Sequence, residues 1–455
     1  MRSEDNLQAV VISSSRFLKC QKGFTWHLSL ARRTLMQGSR MHVWLLLAVT
    51  LGLTFSAVAG WAQKVKGWKV KVPIVTYWAG PEMTDTAAQQ LADGGWNLVW
   101  CRESELGVAV RHHLRAQLTD PLLSPATLDD PTRLAALDAL IGRVKGNPAL
   151  YSYFILDEPS AKSFKDIGRL VAHLKQKDPS HLAYVNLFPT YANNEQLGTS
   201  GDTVTAYKEH LRQYIDKVKP SLISYDHYQF ALKSDLPDYF LNLALVRSAA
   251  MDAGLPFLNI VQACTWTPSM REPGEEEMRY LVNTTLAYGA QGISYYVYSY
   301  PGHTPGIATM EGKPTQVYGW LSKLNREFVA IASQIQNLHS TGVYHVGMMP
   351  PGSEPLPDNS PFIIDPPIPP TEFIPNERVQ GMLLGCFGKK ANESNKATHV
   401  FVVNLDYKTE ATLTLRGPGT LELFDADTQK WASCHDKRTT LTLPPGGGKL
   451  VRIRR

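Results

Sequence analysis

The chain has 455 residues, of which 44% are apolar and 19% are charged, a balance typical of folded globular proteins and unlike that of disordered chains. This length is enough for one large domain and a smaller one. The formal net charge is +5, but the first 71 residues are rich in Lys and Arg, so the rest of the chain is close to neutral. No basic stripe follows that would indicate a nucleic-acid partner.

The N-terminal segment, residues 1–62, has the features of an export signal. The basic residue Arg40 precedes an apolar run from Met41, and Ala57-Val-Ala59 supplies a cleavage site, with a second at 60–62. Residues 1–40 are too long for an ordinary signal-peptide start, which makes Met41 a candidate translation start. The segment predicts a secreted or periplasmic protein, and an uncleaved N-terminal membrane anchor is the alternative.

Short β-prone runs alternate with helical segments from residue 72 onwards, which predicts a parallel α/β fold. The predicted strands are 73–78, 96–103, 115–120, 150–158, 182–189, 222–230, 256–266 and 292–300. The predicted helices are 84–93, 130–146, 163–177, 204–218, 237–253, 274–289 and 314–338. Eight such units predict a (β/α)8 TIM barrel over residues 63–340, although 115–120 is also compatible with a loop. The alternative, an open doubly wound sheet, lacks a glycine-rich phosphate turn after its first strand.

The last part of the chain, residues 341–455, is predicted to form an all-β sandwich domain. Alternating runs at 342–346, 379–387, 399–405, 411–415, 420–424 and 450–453 are separated by turn residues. The Pro-rich segment 349–375 is predicted to be an irregular loop.

The five cysteines form no metal-binding or redox motif. None belongs to a C-x-x-C pair, which excludes a zinc ribbon or a thioredoxin-like site. Cys386 and Cys434 fall in the predicted sandwich. They are able to pair in an oxidising compartment, but two buried thiols explain them equally well.

The C-terminal ends of the strands form the active site of a TIM barrel, so the residues at these ends are the candidates. Carboxylates serve proton transfer, amide and His side chains bind hydroxyl groups, and aromatic rings stack on pyranose faces. The strand ends supply all of these, which suits a carbohydrate site. The candidate substrate-binding residues are Trp78, Trp100, Glu103, Asn186, Tyr225, His227, Tyr228, Gln262, Trp266 and Tyr295.

The fourth strand ends in Asp157-Glu158-Pro159. Glycoside cleavage needs an acid for the leaving oxygen and a negative group for the oxocarbenium-like centre. A neighbouring carboxylate raises the pKa of such an acid, because two like charges ionise poorly side by side. We interpret Glu158 as the general acid/base, Asp157 as its electrostatic partner and Asp226, at the end of strand six, as the next candidate. The alternative is that the acidic residues only begin the next helix.

This strand end resembles that of the (β/α)8 glycoside hydrolases, in which strand four carries the acid/base Glu. The resemblance covers most of residues 72–340. The large clan A has Asn-Glu at this point and a nucleophilic Glu at the end of strand seven. Here Asp157 replaces the Asn, and strand seven ends in Gln262-Ala263-Cys264.

The motif Asp157-Glu158-Pro159 is more similar to glycoside hydrolase family 123. That resemblance implies that Asp157 orients a 2-acetamido group of the substrate, which acts as the nucleophile, and that Glu158 is the acid/base. Another arrangement, independent of the resemblance, pairs Glu158 as acid with Asp226 as base or nucleophile.

The sequence therefore predicts a secreted glycoside hydrolase that cleaves O-glycosidic bonds in an oligo- or polysaccharide without a metal or other cofactor. Its expected partner is a carbohydrate, with no nucleic acid and no membrane beyond export, and the oligomeric state stays open. The alternatives are a non-catalytic carbohydrate-binding protein on the same scaffold and a metal-dependent barrel hydrolase.

Overall fold

The computed structural model describes residues 73–375, 380–390 and 393–454. The predicted export segment, residues 1–62, lies outside the described residues. Within the described ranges, no helix is both long enough and apolar enough to cross a membrane.

Eight parallel strands form a barrel in the order β1-β8-β7-β6-β5-β4-β3-β2. Asn97 closes the ring between β1 and β2, because its backbone N–H donates to Val75 O and its Oδ1 accepts from Val75 N, both at 3.0 Å. All eight predicted strands are present, including the uncertain third one, and the TIM barrel is confirmed. The strands are β1 Ile74–Tyr77, β2 Leu98–Cys101, β3 Arg115–Leu118, β4 Leu150–Asp157, β5 Leu182–Leu187, β6 Ile223–His227, β7 Phe257–Gln262 and β8 Gly292–Tyr296.

The helices that surround the barrel follow the predicted segments closely. Capping residues fix several of their starts, as in α3, where the Asp130 carboxylate accepts hydrogen bonds from two backbone N–H groups of the first turn. Helices α2 and α5 were not predicted, because six and four residues are too few to show a helical period. The helices are α1 Asp85–Asp93, α2 Leu106–Arg111, α3 Pro131–Val144, α4 Phe164–Lys177, α5 Asn194–Leu197, α6 Thr203–Val218, α7 Tyr239–Ala253, α8 Glu275–Ala287 and α9 Gln316–Ile335.

Strand side chains alternate between two apolar clusters, as the pleat requires. Inward residues such as Leu98, Tyr184 and Leu258 fill the barrel. Outward residues such as Val99 and Val261 pack against the helices. The face on which a residue lies therefore decides whether it can reach the barrel mouth.

Residues after 338 form two further sheets. A seven-stranded sheet has the order β11-β9-β12-β13-β18-β15-β16, and a three-stranded sheet has the order β10-β14-β17. One hydrophobic cluster contains side chains of both sheets, for example Leu384 and Val402 from the first and Leu415 and Leu441 from the second. The strands are β9 His339–Met349, β10 Ile363–Asp365, β11 Thr371–Glu372, β12 Gly381–Gly388, β13 His399–Asn404, β14 Ala411–Arg416, β15 Leu421–Asp425, β16 Lys430–Ser433, β17 Arg438–Leu443 and β18 Gly448–Ile453.

Two expectations about this region need correction. The Pro-rich segment contains β10 and β11, and these strands are only three and two residues long, too short for a pattern to show. Strands β16 and β17 were also missed, because Lys, Ser, Arg and Thr dominate them and many of these side chains are exposed. Cys386 and Cys434 are both free thiols, so the disulfide that the sequence left open is not formed.

The seven-stranded sheet packs directly on helix α8 of the barrel. We expect Gly385→Ala to destabilise the protein by about 1–3 kcal/mol, because an added Cβ on β12 would lie 2.2 Å from Ala287 O in α8. Gly142→Ala is the matched control, since nothing lies within 4 Å of a Cβ at this exposed position of α3. It should add about 0.5–1 kcal/mol through helix propensity. Urea titration measures both, and equal effects of the two changes would contradict the close packing.

Candidate active site

A β-bulge in β4 sets the direction of Asp157. The pairing of β4 with β5 runs Phe154 with Tyr184 and then Leu156 with Val185 and Asp157 with Asn186, so the register shifts by one residue between Phe154 and Leu156. Without this shift, strict alternation from Phe154 would point Leu156 into the barrel and Asp157 away from it. The bulge instead places Asp157 level with the inward Asn186.

Asn186 holds the two aspartates in place. Its Nδ2 donates to Asp157 Oδ1 at 3.0 Å and to Asp226 Oδ1 at 2.8 Å. Its Oδ1 accepts from Ser224 Oγ at 3.0 Å, and Ser224 Oγ in turn lies 2.7 Å from Tyr184 Oη. Asn186 and Asp226 are each only 2% exposed. Both amide protons of one side chain therefore serve two carboxyl groups on β4 and β6.

Glu158 joins these two aspartates from the first position beyond β4. Its backbone N–H donates to Asn186 O at 2.9 Å, and its φ is 44°, in the left-handed region that residues other than glycine rarely adopt. Its side chain lies within hydrogen-bonding range of Asp226, and it is half-buried. Strained backbone of this kind concentrates at functional sites.

Burial changes the proton affinity of the aspartates. Desolvation, followed by the charge of Asp157, raises the pKa of Asp226, while hydrogen bonds from Asn186 and Glu158 act in the opposite direction. Desolvation also raises the pKa of Asp157, against the hydrogen bond from Asn186. Oδ2 of Asp226 is buried without a hydrogen bond of regular geometry. The charge of Asp157 affects the pKa of Asp226, so the titration of the two aspartates belongs to the pair and not to one residue.

Two aromatic clusters come from strands of the barrel and from the loops that follow them. The first cluster comprises Trp78, directly after β1, Trp100 on β2 and Phe154 on β4, and its ring centroids are 4.8–5.8 Å apart. The second cluster comprises Tyr228, Trp266, Tyr296 and His303, which come from the ends of β6, β7 and β8 and from the loop after β8. The rings of Tyr228, Trp266 and Tyr296 are 4.9–5.0 Å apart, and His303 Nε2 lies 3.0 Å from Tyr296 Oη.

The second cluster reaches the carboxyl groups. Tyr228 and Tyr296 are close enough to Asp226 and Glu158 for these charges to raise their pKa, although burial is the larger cause. Tyr191, after β5, is also close to Asp226 and Glu158 and accepts a hydrogen bond from Tyr228 N at 3.4 Å. The mouth therefore combines acidic groups with partly exposed aromatic rings.

Five predicted substrate-binding residues are not part of this site: four make contacts elsewhere, and the amide of the fifth, Gln262, is bound to backbone atoms. Tyr225 and His227 alternate with Asp226 and so face the helices, where His227 Nδ1 lies 3.0 Å from Asn242 Oδ1. Tyr295 faces outward in the same way and donates to Asn325 Oδ1 in α9 at 2.8 Å. Both carboxylate oxygens of Glu103 accept hydrogen bonds from Arg143 in α3, at 2.6 and 2.9 Å.

Gln262 stands at the end of β7, where it joins two loops. Its Oε1 accepts from Phe230 N at 2.8 Å, and its Nε2 donates to Arg271 O at 2.9 Å and to two further backbone carbonyls at 3.3 Å. These bonds fully use the amide. Among the candidates from the sequence, the structure brings together Asp157, Glu158, Asn186, Asp226, Trp78, Trp100, Tyr228 and Trp266.

The residues that sequence reasoning missed are Phe154, Tyr191, Tyr296 and His303. The alternation itself offered a signal for Tyr296, because Gly292, Ser294 and Tyr296 share one face of β8 and Tyr295 lies on the other. Tyr191 and His303 lie in loops, for which no periodicity exists. Across residues 73–375, 380–390 and 393–454, no group of three or more His, Cys, Asp or Glu side chains is arranged to hold a metal ion.

Comparison with known proteins identifies the fold. No protein-family model and no curated protein matches the chain. Among solved structures, the β-galactosidase from Bacillus circulans sp. alkalophilus is 9% identical, with a TM-score of 0.53 over 84% of this chain and 99% of that chain. The β-galactosidase from the Antarctic haloarchaeon Halorubrum lacusprofundi is 12% identical, with a TM-score of 0.42 over 56% of this chain and 58% of that chain.

The β-galactosidase from the psychrophilic Marinomonas ef1 is 10% identical, with a TM-score of 0.42 over 60% of this chain and 62% of that chain. The chain thus spans less than two thirds of the length of the haloarchaeal and the Marinomonas β-galactosidases. At 9% identity the similarity to the Bacillus circulans protein shows the fold alone, an α/β TIM barrel, and does not transfer the activity of that protein to this chain.

The raised pKa of Asp226 predicts how stability depends on pH. A folded-state pKa above the unfolded value of about 3.9 means that stability is fully present below pH 4 and is lost as the pH rises through the folded value. Asp226→Asn should therefore leave the melting temperature nearly unchanged near pH 4 and raise it at neutral and alkaline pH, by an amount worth about 1–3 kcal/mol. Differential scanning fluorimetry from pH 4 to 9 measures this.

Asp178→Asn is the control of opposite sign. Burial acts to raise the pKa of Asp178, but hydrogen bonds with His181 at 2.6 Å and Tyr153 at 2.7 Å prevail and lower it. Its stabilising effect is present above the unfolded pKa and is lost as the pH falls through the folded value. This variant should be destabilised most at neutral pH. A pH-independent shift in the Asp226 variant would contradict the electrostatic reasoning.

Proposed function

We propose that this protein is a secreted glycoside hydrolase with Glu158 as its general acid/base. The observation that carries the proposal is the meeting of Asp157, Glu158 and Asp226 at the C-terminal mouth of the barrel, with Asn186 between the two aspartates. Hydrolysis of a glycosidic bond needs one protonated and one ionised carboxyl group near the anomeric carbon. A set of crowded acids that shares protons supplies both states at one pH.

The surroundings of each of the three acids favour a different catalytic role. Glu158 is half-buried at the mouth and is the acid that donates its proton to the leaving oxygen. Asp226 has a raised pKa and an oxygen without a regular hydrogen bond, and it acts as base or nucleophile once its proton has passed to Glu158, which lies within hydrogen-bonding range. Asp157 is bound by Asn186 and supports the positive charge that develops on the sugar.

The aromatic clusters favour a sugar over other hydrolysable ligands. Pyranose rings present apolar C–H faces that stack on Trp and Tyr, and their hydroxyls bind carboxylates and amides. The two clusters present partly exposed rings, and more than one such surface suits an oligo- or polysaccharide. The carbohydrate-binding alternative requires only the rings and gives the crowded, strained carboxyl groups no role.

The end of strand seven carries no carboxyl group, which favours a mechanism other than that of clan A. Its last residue, Gln262, is an amide engaged with backbone atoms of two loops, so the second carboxyl group of the proposed mechanism comes from β6. The similarity to family 123 offers the other choice, in which a 2-acetamido group of the substrate is the nucleophile and Asp157 orients it. Both choices keep Glu158 as the acid/base.

We also propose that a cleavable signal near residues 41–62 exports a barrel of residues 63–340 and an all-β sandwich of residues 341–455. The shared hydrophobic cluster of the two C-terminal sheets supports the sandwich, and the barrel helix α9 ends at Ile335, just before β9 begins at His339.

Replacement of the proposed acid tests the function most directly. Glu158→Gln should lower kcat on oligosaccharides by about 10²–10⁴-fold, because the amide cannot donate the proton, and should leave sugar affinity largely unchanged. Glu195→Gln is the matched control, since it removes an exposed carboxylate from α5, after the neighbouring strand β5. Steady-state kinetics and calorimetric binding separate the two effects. Equal activity of the two variants would contradict the role of Glu158.

A panel of aryl glycosides identifies the nucleophile. We expect turnover of glycosides without a 2-acetamido group, because Asp226 gives the site a second carboxyl group of its own. Asp226→Asn should then reduce their turnover as strongly as Glu158→Gln does. Activity confined to N-acetylhexosaminides, with a small effect of Asp226→Asn, would instead assign the nucleophile to the substrate.

A further inference from the structure

The loops that follow β6 and β7 are joined to each other. Leu232 N donates to Ser269 O at 2.7 Å, and Arg271 N donates to Phe230 O at 3.2 Å. Gln262 connects the same two loops through Phe230 and Arg271. These loops carry Tyr228 and Trp266 of the second aromatic cluster, so the position of one ring depends on that of the other.

The guanidinium group of Arg271 is the centre of this connection. It donates to Ala231 O at 2.6 Å, to Asp235 Oδ1 at 2.6 Å and to Glu277 Oε1 at 2.8 and 3.0 Å, and it lies 4.6 Å over the ring of Phe230. The side chains of Arg271, Asp235 and Glu277 are only 23%, 15% and 7% exposed. Solvent therefore screens these charges only weakly, and their hydrogen bonds hold the three side chains in one arrangement.

Tyr407, which lies between β13 and β14 in the C-terminal β-region, also binds the Arg271–Asp235 pair. Tyr407 Oη donates to Asp235 Oδ2 at 2.7 Å and accepts from Arg271 Nη2 at 3.2 Å. Its ring lies 5.8 Å from that of Phe230. Asp235 is thus bound on one oxygen by Arg271 and on the other by Tyr407, and both of these residues pack on Phe230, which stands two residues after Tyr228 in the same loop.

We propose that Tyr407 is a positioning residue for substrate, which holds the Asp235–Arg271 pair so that Tyr228 and Trp266 face the barrel mouth. This inference rests on the proposed function, because it gives the second aromatic cluster the task of binding sugar. The carboxyl groups do not depend on it, since Asn186 on β5 holds the aspartates from within the barrel. Tyr407 therefore affects sugar binding and leaves proton transfer unchanged.

Tyr407→Phe removes the hydroxyl group alone. We expect KM for an oligosaccharide substrate to rise by roughly three- to tenfold, which is the value of one aromatic contact, while kcat and its pH profile stay as in the wild type. Tyr318→Phe is the matched control. It removes a hydroxyl that also makes a 2.7 Å hydrogen bond, to Gln90 O between α9 and α1, and should lower the melting temperature without a change in KM.

A mutant cycle tests whether Tyr407 acts through the rings of Tyr228 and Trp266. In a Tyr228→Leu/Trp266→Leu background, Tyr407→Phe should change KM by less than about twofold, because both rings that it positions are already lost. Multiplicative effects of Tyr407→Phe and of the ring substitutions, or a fall in kcat with KM unchanged, would overturn the positioning role and leave a structural one.

Hydrogen exchange tests whether Tyr407 stabilises the loops after β6 and β7, and it requires no enzymatic activity. Tyr407→Phe should speed up amide exchange in residues 228–238 and 263–274, and Tyr318→Phe should not. Unchanged exchange in both loops would overturn the inference even if the protein is a glycosidase. A wild-type protein that hydrolyses no glycoside would overturn the proposed function, while the exchange result would still report on the loops.

Discussion

The site depends on a single amide between two acids, of which Asp226 is buried and Asp157 half-buried. Each aspartate lies where ionisation is costly, and each keeps an oxygen bound to Asn186 Nδ2, at 3.0 and 2.8 Å. The amide oxygen of Asn186 also needs a partner in this buried position, and Ser224 Oγ donates that hydrogen bond. The barrel makes this arrangement possible, because β4, β5 and β6 are neighbours and their inward residues meet at one level. Proton sharing at the mouth follows from that geometry.

Local sequence signals were sufficient for the barrel but not for the orientation of every side chain. The alternation of side chains along β6 places Ser224 and Asp226 inward and turns Tyr225 and His227 outward. The residue types alone did not reveal this difference in orientation. The bulge in β4 breaks the rule, and nothing in the apolar run before Asp157 announces it. Asp157 was therefore expected at the site because of its chemistry, while the backbone feature that brings it there became visible only in three dimensions.

Long-range partners account for the remaining differences. Glu103 carries a charge at a strand end, as a sugar-binding residue would, but Arg143 lies 40 positions later in the chain and uses both of its oxygens. Tyr191 and His303 reach the mouth from loops whose course depends on packing. Short strands such as β11 form only because β9 offers a partner, and no window of sequence contains that information. Periodicity thus predicts elements, and contacts between distant residues decide which side chains form the site.

The C-terminal sheets bear on the chemistry through their contact with the barrel. The approach of β12 to α8 is so close that only glycine fits at position 385, and Tyr407 reaches a carboxylate in the loop after β6 at 2.7 Å. In a TIM barrel the loops after the strands set specificity while the strands hold the reacting groups. Here the acids are held from inside the barrel by Asn186, and the aromatic rings of the second cluster are held from outside by a polar network that includes the sheet region. The acids and the aromatic rings therefore rest on separate supports, and under the proposed function a substitution in the C-terminal region would move the rings without disturbing the acids.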